Sequence, residues 1–346
     1  MSANIVVLDA GNSDIKARAA SREAVWSHAL AELSTAEWNQ IMAHSRDNPP
    51  AGYARVNGTP FAYGEMAEKR GPVQRRSGAA RYQKGYYDIL TAISLAQLYK
   101  RGGRVFVFAS HAPRDITYAD DLLEATVGEY TVETEGRTAK FTVAGAMTFD
   151  EPVGGLMNVV LKDSGLAYAR PDINGGESLV IDIGGFTTDM ISVARGGQLD
   201  YAVNESVEVG IQNVMRAFER DLRARYADIF KSTTTVPANR LRDALRTGAY
   251  TGGGREYPCH TEATNAAGLV LNRIANAYQE VAGGPARWDT IILTGGGSAA
   301  LYDRLLPILD HGRVLPADDL DALHLANVRG GMKLARFYEA NGVIDV

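Results

Sequence analysis

One strand–turn device occurs twice in this chain, about 170 residues apart. Ile5 to Lys16 reads IVVLDAGNSDIK and Leu179 to Met190 reads LVIDIGGFTTDM. Each is an apolar strand that ends at an aspartate, with a glycine two residues later (Asp9 and Gly11; Asp182 and Gly184). A third apolar strand, from Ile291, runs into Gly295-Gly296-Gly297-Ser298. An internal repeat constrains architecture more strongly than any local propensity. Two copies of one device imply two like domains that face each other across a cleft.

The chemistry of the repeat points to phosphate. A turn without bulky side chains can aim backbone N–H groups at an anion, and glycine allows the ligand to approach closely. An aspartate at the strand end can hold a hydrated Mg²⁺, which keeps several of its waters. A single such turn is an ordinary hairpin. Two matched copies and a third glycine turn make a polyphosphate site the better reading.

Composition narrows the alternatives. A chain of 346 residues suffices for two domains. Its net charge of −5 provides no general attraction for nucleic acid, so direct nucleic-acid binding is not expected. The one cysteine, Cys259, excludes an intrachain disulfide and a cysteine-built cluster. No apolar run has the length of a membrane span, and the N-terminus lacks a signal-peptide pattern, so the expected location is cytoplasmic, away from membranes. The six histidines are scattered without metal-ligand spacing. No G-x-G-x-x-G follows a strand, and neither a P-loop lysine motif nor a G-x-S-x-G elbow occurs.

In order and content these segments resemble the actin, Hsp70 and sugar-kinase ATPase superfamily. DAGNSDIK is similar to its first phosphate motif, DIGGFTTD to its second and LTGGGSAAL to its adenosine motif. DEPVGGLMNVVL (Asp150 to Leu161) and ANVRGGMKLARF (Ala326 to Phe337) resemble its two connecting helices. The A-N-V-R-G run is similar to the C-terminal segment of the bacterial plasmid-segregation actins, the ParM/StbA group. The resemblance implies an α/β, actin-like two-domain fold. Each domain would be a ribonuclease-H-like mixed sheet flanked by helices, a duplicated plan with nucleotide in the interdomain cleft. It implies domain I at 1–152 plus 326–346, with a small irregular subdomain about 21–85. Domain II would be 153–325, with an insertion about 206–284.

The resemblance also assigns roles. Asp9 and Asp182 would hold Mg²⁺ through water, and Asp182 would also assist hydrolysis. Gly11, Asn12, Ser13 and Lys16 would contact the β- and γ-phosphates of ATP or GTP, with Lys16 as a point charge. Gly184, Gly185, Thr187 and Thr188 would form the opposing jaw, with Gly210 beside the ribose or phosphates. Gly295, Gly296, Gly297 and Ser298 would leave room for purine and sugar. Glu151, next to Pro152 at a helix start, would orient or deprotonate the attacking water, with Asp150 as its neighbouring alternative. A helix-start acid favoured by the macrodipole is the plain alternative for Glu151.

Three functions fit such a chain. The first is a filament-forming NTPase that joins head to tail with itself and uses an adaptor protein bound to centromere-like plasmid DNA. The second is a small-molecule kinase, and the third a non-polymerising ATPase or regulator. Periodicity predicts helices over Tyr86 to Lys100, Val209 to Tyr226 and Glu262 to Val281, the last with Leu269, Ile274 and Ala277 inward. The basic stretch Gly71 to Gly85 reads as a solvated loop, with a contact to a filament neighbour or acidic partner as the functional alternative. The glycine-rich Thr251 to Pro258 reads as a connector.

Overall fold

The computed structural model describes residues 4–45, 49–70, 73–197, 199–231 and 236–344. The chain divides into two units, Met1–Ala169 with Asn327–Val346 and Arg170–Ala326.

The first unit opens with a three-strand meander, β1 (Asn4–Ala10), β2 (Asp14–Ala19) and β3 (Arg22–Ser27). Then come β4 (Leu30–Glu32), helix α1 (Thr35–His44), β5 (Tyr53–Val56), β6 (Thr59–Tyr63) and α2 (Glu65–Arg70). Ser34 caps α1 in a reciprocal box with Glu37, which satisfies two otherwise orphaned donors. A 3₁₀ turn at Gly78–Tyr82 leads into α3 (Tyr87–Leu98), then β7 (Gly103–His111), a 3₁₀ segment at Pro113–Tyr118, α4 (Ala119–Thr126), β8 (Gly128–Thr134), β9 (Arg137–Asp150) and α5 (Glu151–Val160). Among the described residues nine strands form one sheet, ordered β3-β2-β1-β7-β9-β8-β5-β6-β4. Helix α3 is buried nearly all round, and its Tyr87, Leu90 and Ile93 join Val6, Leu8 and Val107 in the core.

The second unit comprises α6 (Pro171–Asn174), β10 (Ser178–Ile183), β11 (Thr188–Val193), β12 (Leu199–Val207), α7 (Ile211–Arg225), α8 (Ala227–Phe230), α9 (Ala238–Thr247), β13 (Ala249–Gly252), β14 (Arg255–Pro258), α10 (His260–Glu280), β15 (Thr290–Thr294), α11 (Gly296–Leu309) and β16 (Val314–Pro316). Its main sheet runs β12-β11-β10-β15-β16. That order repeats the β3-β2-β1-β7-β9 half of the first sheet: a meander, then two strands parallel to its first member. The duplication visible in the sequence is therefore a duplication of topology. The last helix, α12 (Ala326–Ala340), returns to the first unit.

Four local expectations are corrected. The crossings between units fall at 169/170 and 326/327, so α5 lies wholly in the first unit rather than opening the second at residue 153. The reason is a backbone-to-backbone crossing of α5 and α12. A Cβ on Gly330 would sit 1.7 Å from the Gly154 carbonyl oxygen, and one on Gly154 would sit 2.4 Å from that of Asn327. The glycines of EPVGG and ANVRGG are thus packing surfaces, and Arg329 pairs with Glu23 of β3 at 2.8 Å. Residues 21–85, expected to be irregular, supply four strands, three of which extend the sheet beyond β8. The connector at Thr251 to Pro258 belongs to the hairpin β13–β14, whose turn glycines 253 and 254 take positive φ. Finally, Leu269 faces outward at 64% exposure, because the buried stripe of α10 runs through Ala263, Ala267, Val270, Ile274 and Ala277.

Candidate functional site

The first turn joins β1 to β2, which pair antiparallel with Asp9 opposite Lys16. Directly opposed side chains on adjacent strands are in contact range, and the Lys16 ammonium lies 2.9 Å from Asp9 Oδ2. Asp9 is 1% exposed. Its other oxygen, Oδ1, is buried without a hydrogen-bond partner among the described residues, and so is the Ser13 hydroxyl oxygen. Buried polar atoms are nearly always bonded, so two orphaned oxygens in one turn are places that a water, an ion or a ligand would complete.

Behind this turn sits a buried cation that the sequence reading did not single out. Arg81, 2% exposed, donates to the carbonyl of Ala10 at 2.9 Å and to Asn12 Oδ1 at 3.5 Å. It also donates to Tyr82 and, at 3.3 Å, to Asp115 Oδ2, which accepts from the Tyr82 hydroxyl at 3.0 Å as well. Glu151 Oε1 lies 3.9 Å from the same guanidinium. Burial works against the charge of Arg81, but Tyr82, Glu151 and Asp115 outweigh it and hold the group protonated. The expected solvated loop is corrected here: Arg81 and Tyr82 are core residues, while Gly71 and Pro72 lie outside the described residues. The available signal was an arginine set among tyrosines immediately before an apolar helix.

His28 supports the turn from another direction. Its Nδ1 is 2.7 Å from the Gly11 carbonyl and its Nε2 is 2.7 Å from the Tyr86 hydroxyl. A carbonyl only accepts, so Nδ1 carries the proton and Nε2 accepts from Tyr86. Burial lowers the His28 pKa to about 4; the Gly11 bond opposes this, and Arg81 and Arg75 add to it. Asp150 is 5% exposed and 3.4 Å from His111, whereas the Glu151 side chain keeps 16% exposure at the head of α5.

The second turn has the same topology and different furniture. Asp182 stands opposite Asp189 on β11, where the first turn has aspartate opposite lysine. Thr187 donates its hydroxyl to Asp189 at 3.1 Å. Gly184 N–H closes the turn on the Thr187 carbonyl at 2.9 Å. The first N–H groups of α7, on Ile211 and Gln212, donate to the carbonyls of Gly184 and Gly185 at 3.1 and 2.8 Å. Gly210 lies against that turn so closely that a Cβ would be 2.6 Å from Gly185. Thr188 is fully buried, with its hydroxyl donated to Val209 at 2.8 Å, so it anchors the jaw rather than lining it.

The third turn lies beside the second because β10 and β15 are parallel neighbours, with Asp182 level with Thr294. Gly295 takes φ +85°, and a Cβ there would be 2.2 Å from Asp182 Oδ1. Helix α11 starts at Gly296, earlier than the glycine run suggests. Ser298 is buried and donates to the Thr294 carbonyl at 2.6 Å, so its hydroxyl serves the helix. Gly297 packs on Ile183, which leaves Gly296 as the partly open member of the run. Gly296 borders a cavity of about 190 Å³ lined also by Arg242 and Arg246 of α9, Ala300 of α11, and Leu320 and His324 of the 3₁₀ segment Leu320–Leu325. The α9 arginines and this 3₁₀ segment carry no motif that sequence reading could have used.

The class defined by this architecture is the actin-like fold: two units, each with the meander-plus-parallel sheet, each presenting an aspartate–glycine turn at the end of its first strand. The family model described as archaeal actin homologue MreB-like, C-terminal, matches residues 180–306. The archaeal actin homologue Ta0583 superposes with a TM-score of 0.74 at 20% identity, over 97% of this chain and 99% of that one. Ta0583 has also been solved in complex with ADP, at TM-score 0.69 and 19% identity, covering 96% and 98% of the two chains. The apo psk41 ParM protein gives 0.70 at 15% identity, covering 99% and 100%. The actin-like protein Alp7A gives 0.74 at 12% identity, covering 98% and 97%. The comparison with curated protein sequences returned no match.

Proposed function

We propose that this chain is an actin-like nucleoside triphosphatase that assembles into filaments in a nucleotide-dependent way and serves plasmid DNA segregation. The observation that carries the reading is the pair of topologically equivalent turns, each beginning at a buried aspartate, the first with two buried oxygens, Asp9 Oδ1 and Ser13 Oγ, that have no hydrogen-bond partner among the described residues. The similarity in fold to Ta0583, solved with ADP, and to ParM and Alp7A supports it.

In this reading the first unit supplies Asp9, Gly11, Asn12, Ser13 and Lys16 to the phosphates, and the second supplies Gly184, Gly185 and Thr187. Thr188, Gly210, Gly297 and Ser298 act as the scaffold that holds the second and third turns. The nucleobase enters the cavity beside Gly296, where Arg242 and Arg246 offer donors and Leu320 and Ala300 offer apolar surface. Either ATP or GTP fits this chemistry.

The residues present suit Mg²⁺ held through water. Asp9 Oδ1 is a buried acceptor without a hydrogen-bond donor among the described residues, and Asp182 is a second buried carboxylate at the equivalent strand position of the other unit. Among the described residues no three His, Cys, Asp or Glu side chains converge for direct coordination; separated carboxylates suffice for a hydrated ion. Bound there, the ion would offset phosphate charge. Glu151 accepts the proton of the attacking water, and Asp182 assists hydrolysis. Among the described residues no helix is long and apolar enough to cross a membrane. The partners proposed are further copies of the chain, joined head to tail, and an adaptor bound to a centromere-like DNA site. Open-ended filaments follow from a heterologous contact that does not close into a ring.

The test is simultaneous light scattering and phosphate release with Mg-ATP and with Mg-GTP, over a range of protein concentrations. Scattering that appears above a critical concentration and tracks hydrolysis supports the reading. Hydrolysis without scattering points to a non-polymerising ATPase or a kinase.

A further inference from the structure

Arg81 is a buried cation shared by several partners. Its guanidinium touches three separate parts of the first unit: the backbone immediately before the first turn, Asp115 after β7, and Glu151 at the head of α5. A buried cation is costly unless several partners share it, and here the partners include the side chain assigned to the attacking water. The Ala10 carbonyl and Asn12 hold one terminal nitrogen of the guanidinium, and Tyr82 and Asp115 hold the other, which is also the one that faces Glu151. The fork can therefore adjust little, and Glu151 has to come to it. The 3.9 Å separation from Glu151 Oε1 is an ion-pair distance rather than a hydrogen bond.

We infer that Arg81 is a positioning residue for hydrolysis: it ties the first phosphate turn to Glu151, so that carboxylate and γ-phosphate keep one fixed relation. This rests on the nucleotidase reading above. Arg81 does not itself touch the reacting atoms; its effect passes through Glu151 and the turn. A planar fork with several donors at fixed angles is needed for this, which a lysine does not provide.

The experiment is a double-mutant cycle on the full chain with Mg-ATP, using Arg81→Lys, Glu151→Gln and the pair together, with nucleotide affinity measured beside hydrolysis. Arg81→Lys is expected to slow hydrolysis about tenfold while the affinity changes less than about threefold. In the Glu151→Gln background the same lysine substitution is expected to add nothing, because its effect runs through the residue already removed. An equal loss in both backgrounds overturns the inference, as does a loss of affinity as large as the loss of rate, which would make Arg81 only a support for the turn. Glu151→Asp is a second arm that leaves the buried arginine intact and shortens the carboxylate by one methylene. It should bind nucleotide normally and lose at least about tenfold in rate; an unchanged rate would show that the placement set by Arg81 is immaterial. Failure of the wider reading looks different: the unmodified chain would then hydrolyse neither nucleotide, and the inference would fall with it.

Discussion

The two aspartate–glycine turns share a topology and a register, yet they are held by different forces. In the first unit, seven residues after the aspartate comes Lys16, and the turn is surrounded by charge and by polar side chains: Asp9–Lys16, Arg81, Asn12 and His28. In the second unit the same step lands on Asp189, and the turn is built from backbone: Gly184 against Thr187, α7 against Gly184 and Gly185, Gly295 against Asp182. One turn is positioned by electrostatics and the other by close packing.

That contrast can be broken most sharply at a glycine. Gly295→Ala puts a methyl group 2.2 Å from Asp182 Oδ1 at φ +85°, and should destabilise the chain by about 4 kcal/mol or more in denaturant melts. Gly11→Ala meets nothing closer than 3.1 Å and should cost about 1 kcal/mol or less. Equal costs would erase the distinction. Lys16→Met attacks the other kind of support, because it leaves Asp9 buried beside no cation from β2. Its expected cost is about 3 kcal/mol at neutral pH, shrinking in an Asp9→Asn background, where no buried charge remains to be stranded. A cost that persists there would mean that packing, not charge, holds the first turn.

Acid should reach the charged turn selectively through His28. Its folded pKa, about 4, lies below the ordinary 6.5, so between those values the unfolded chain binds the proton more readily than the folded one. Stability from this group is complete above pH 6.5 and declines as pH falls toward 4, by about 3 kcal/mol at pH 4. His28→Gln should flatten that part of the stability–pH curve; an unchanged slope would assign the loss elsewhere. The smallest effect is expected at Ser13→Ala. Its hydroxyl oxygen has no hydrogen-bond partner among the described residues, so stability should stay within about 0.5 kcal/mol while nucleotide affinity falls several-fold.

The repeat, the three turns and the two glycine-bearing helices were legible because each is local: an apolar strand, a turn, a crossing that forbids a Cβ. The two-unit plan followed from them. What stayed hidden depends on long-range assembly. Arg81 looked like one more residue of a basic run because burial of a cation is decided by partners 34 and 70 residues away, Asp115 and Glu151. Strands β4, β5 and β6 are obscured because they are short, and the sheet edge they extend is supplied by β8, much later in the chain. Ser298 read as a ligand-facing residue because glycine-glycine-serine suits a loop; the helix begins inside that run and claims the hydroxyl. Leu269 is an apolar residue that reads as core, whereas the buried stripe set by its alanine and valine neighbours leaves it outside.

The proposed function requires that these turns bind a magnesium-complexed nucleoside triphosphate. Its most direct test is calorimetric titration of the unmodified chain with ATP and with GTP, each in excess Mg²⁺ and again in EDTA, alongside Asp9→Asn. The account predicts saturable one-to-one binding of at least one nucleotide that weakens markedly without Mg²⁺ and in the variant. No binding of either nucleotide, or binding indifferent to both Mg²⁺ and Asp9, would contradict it.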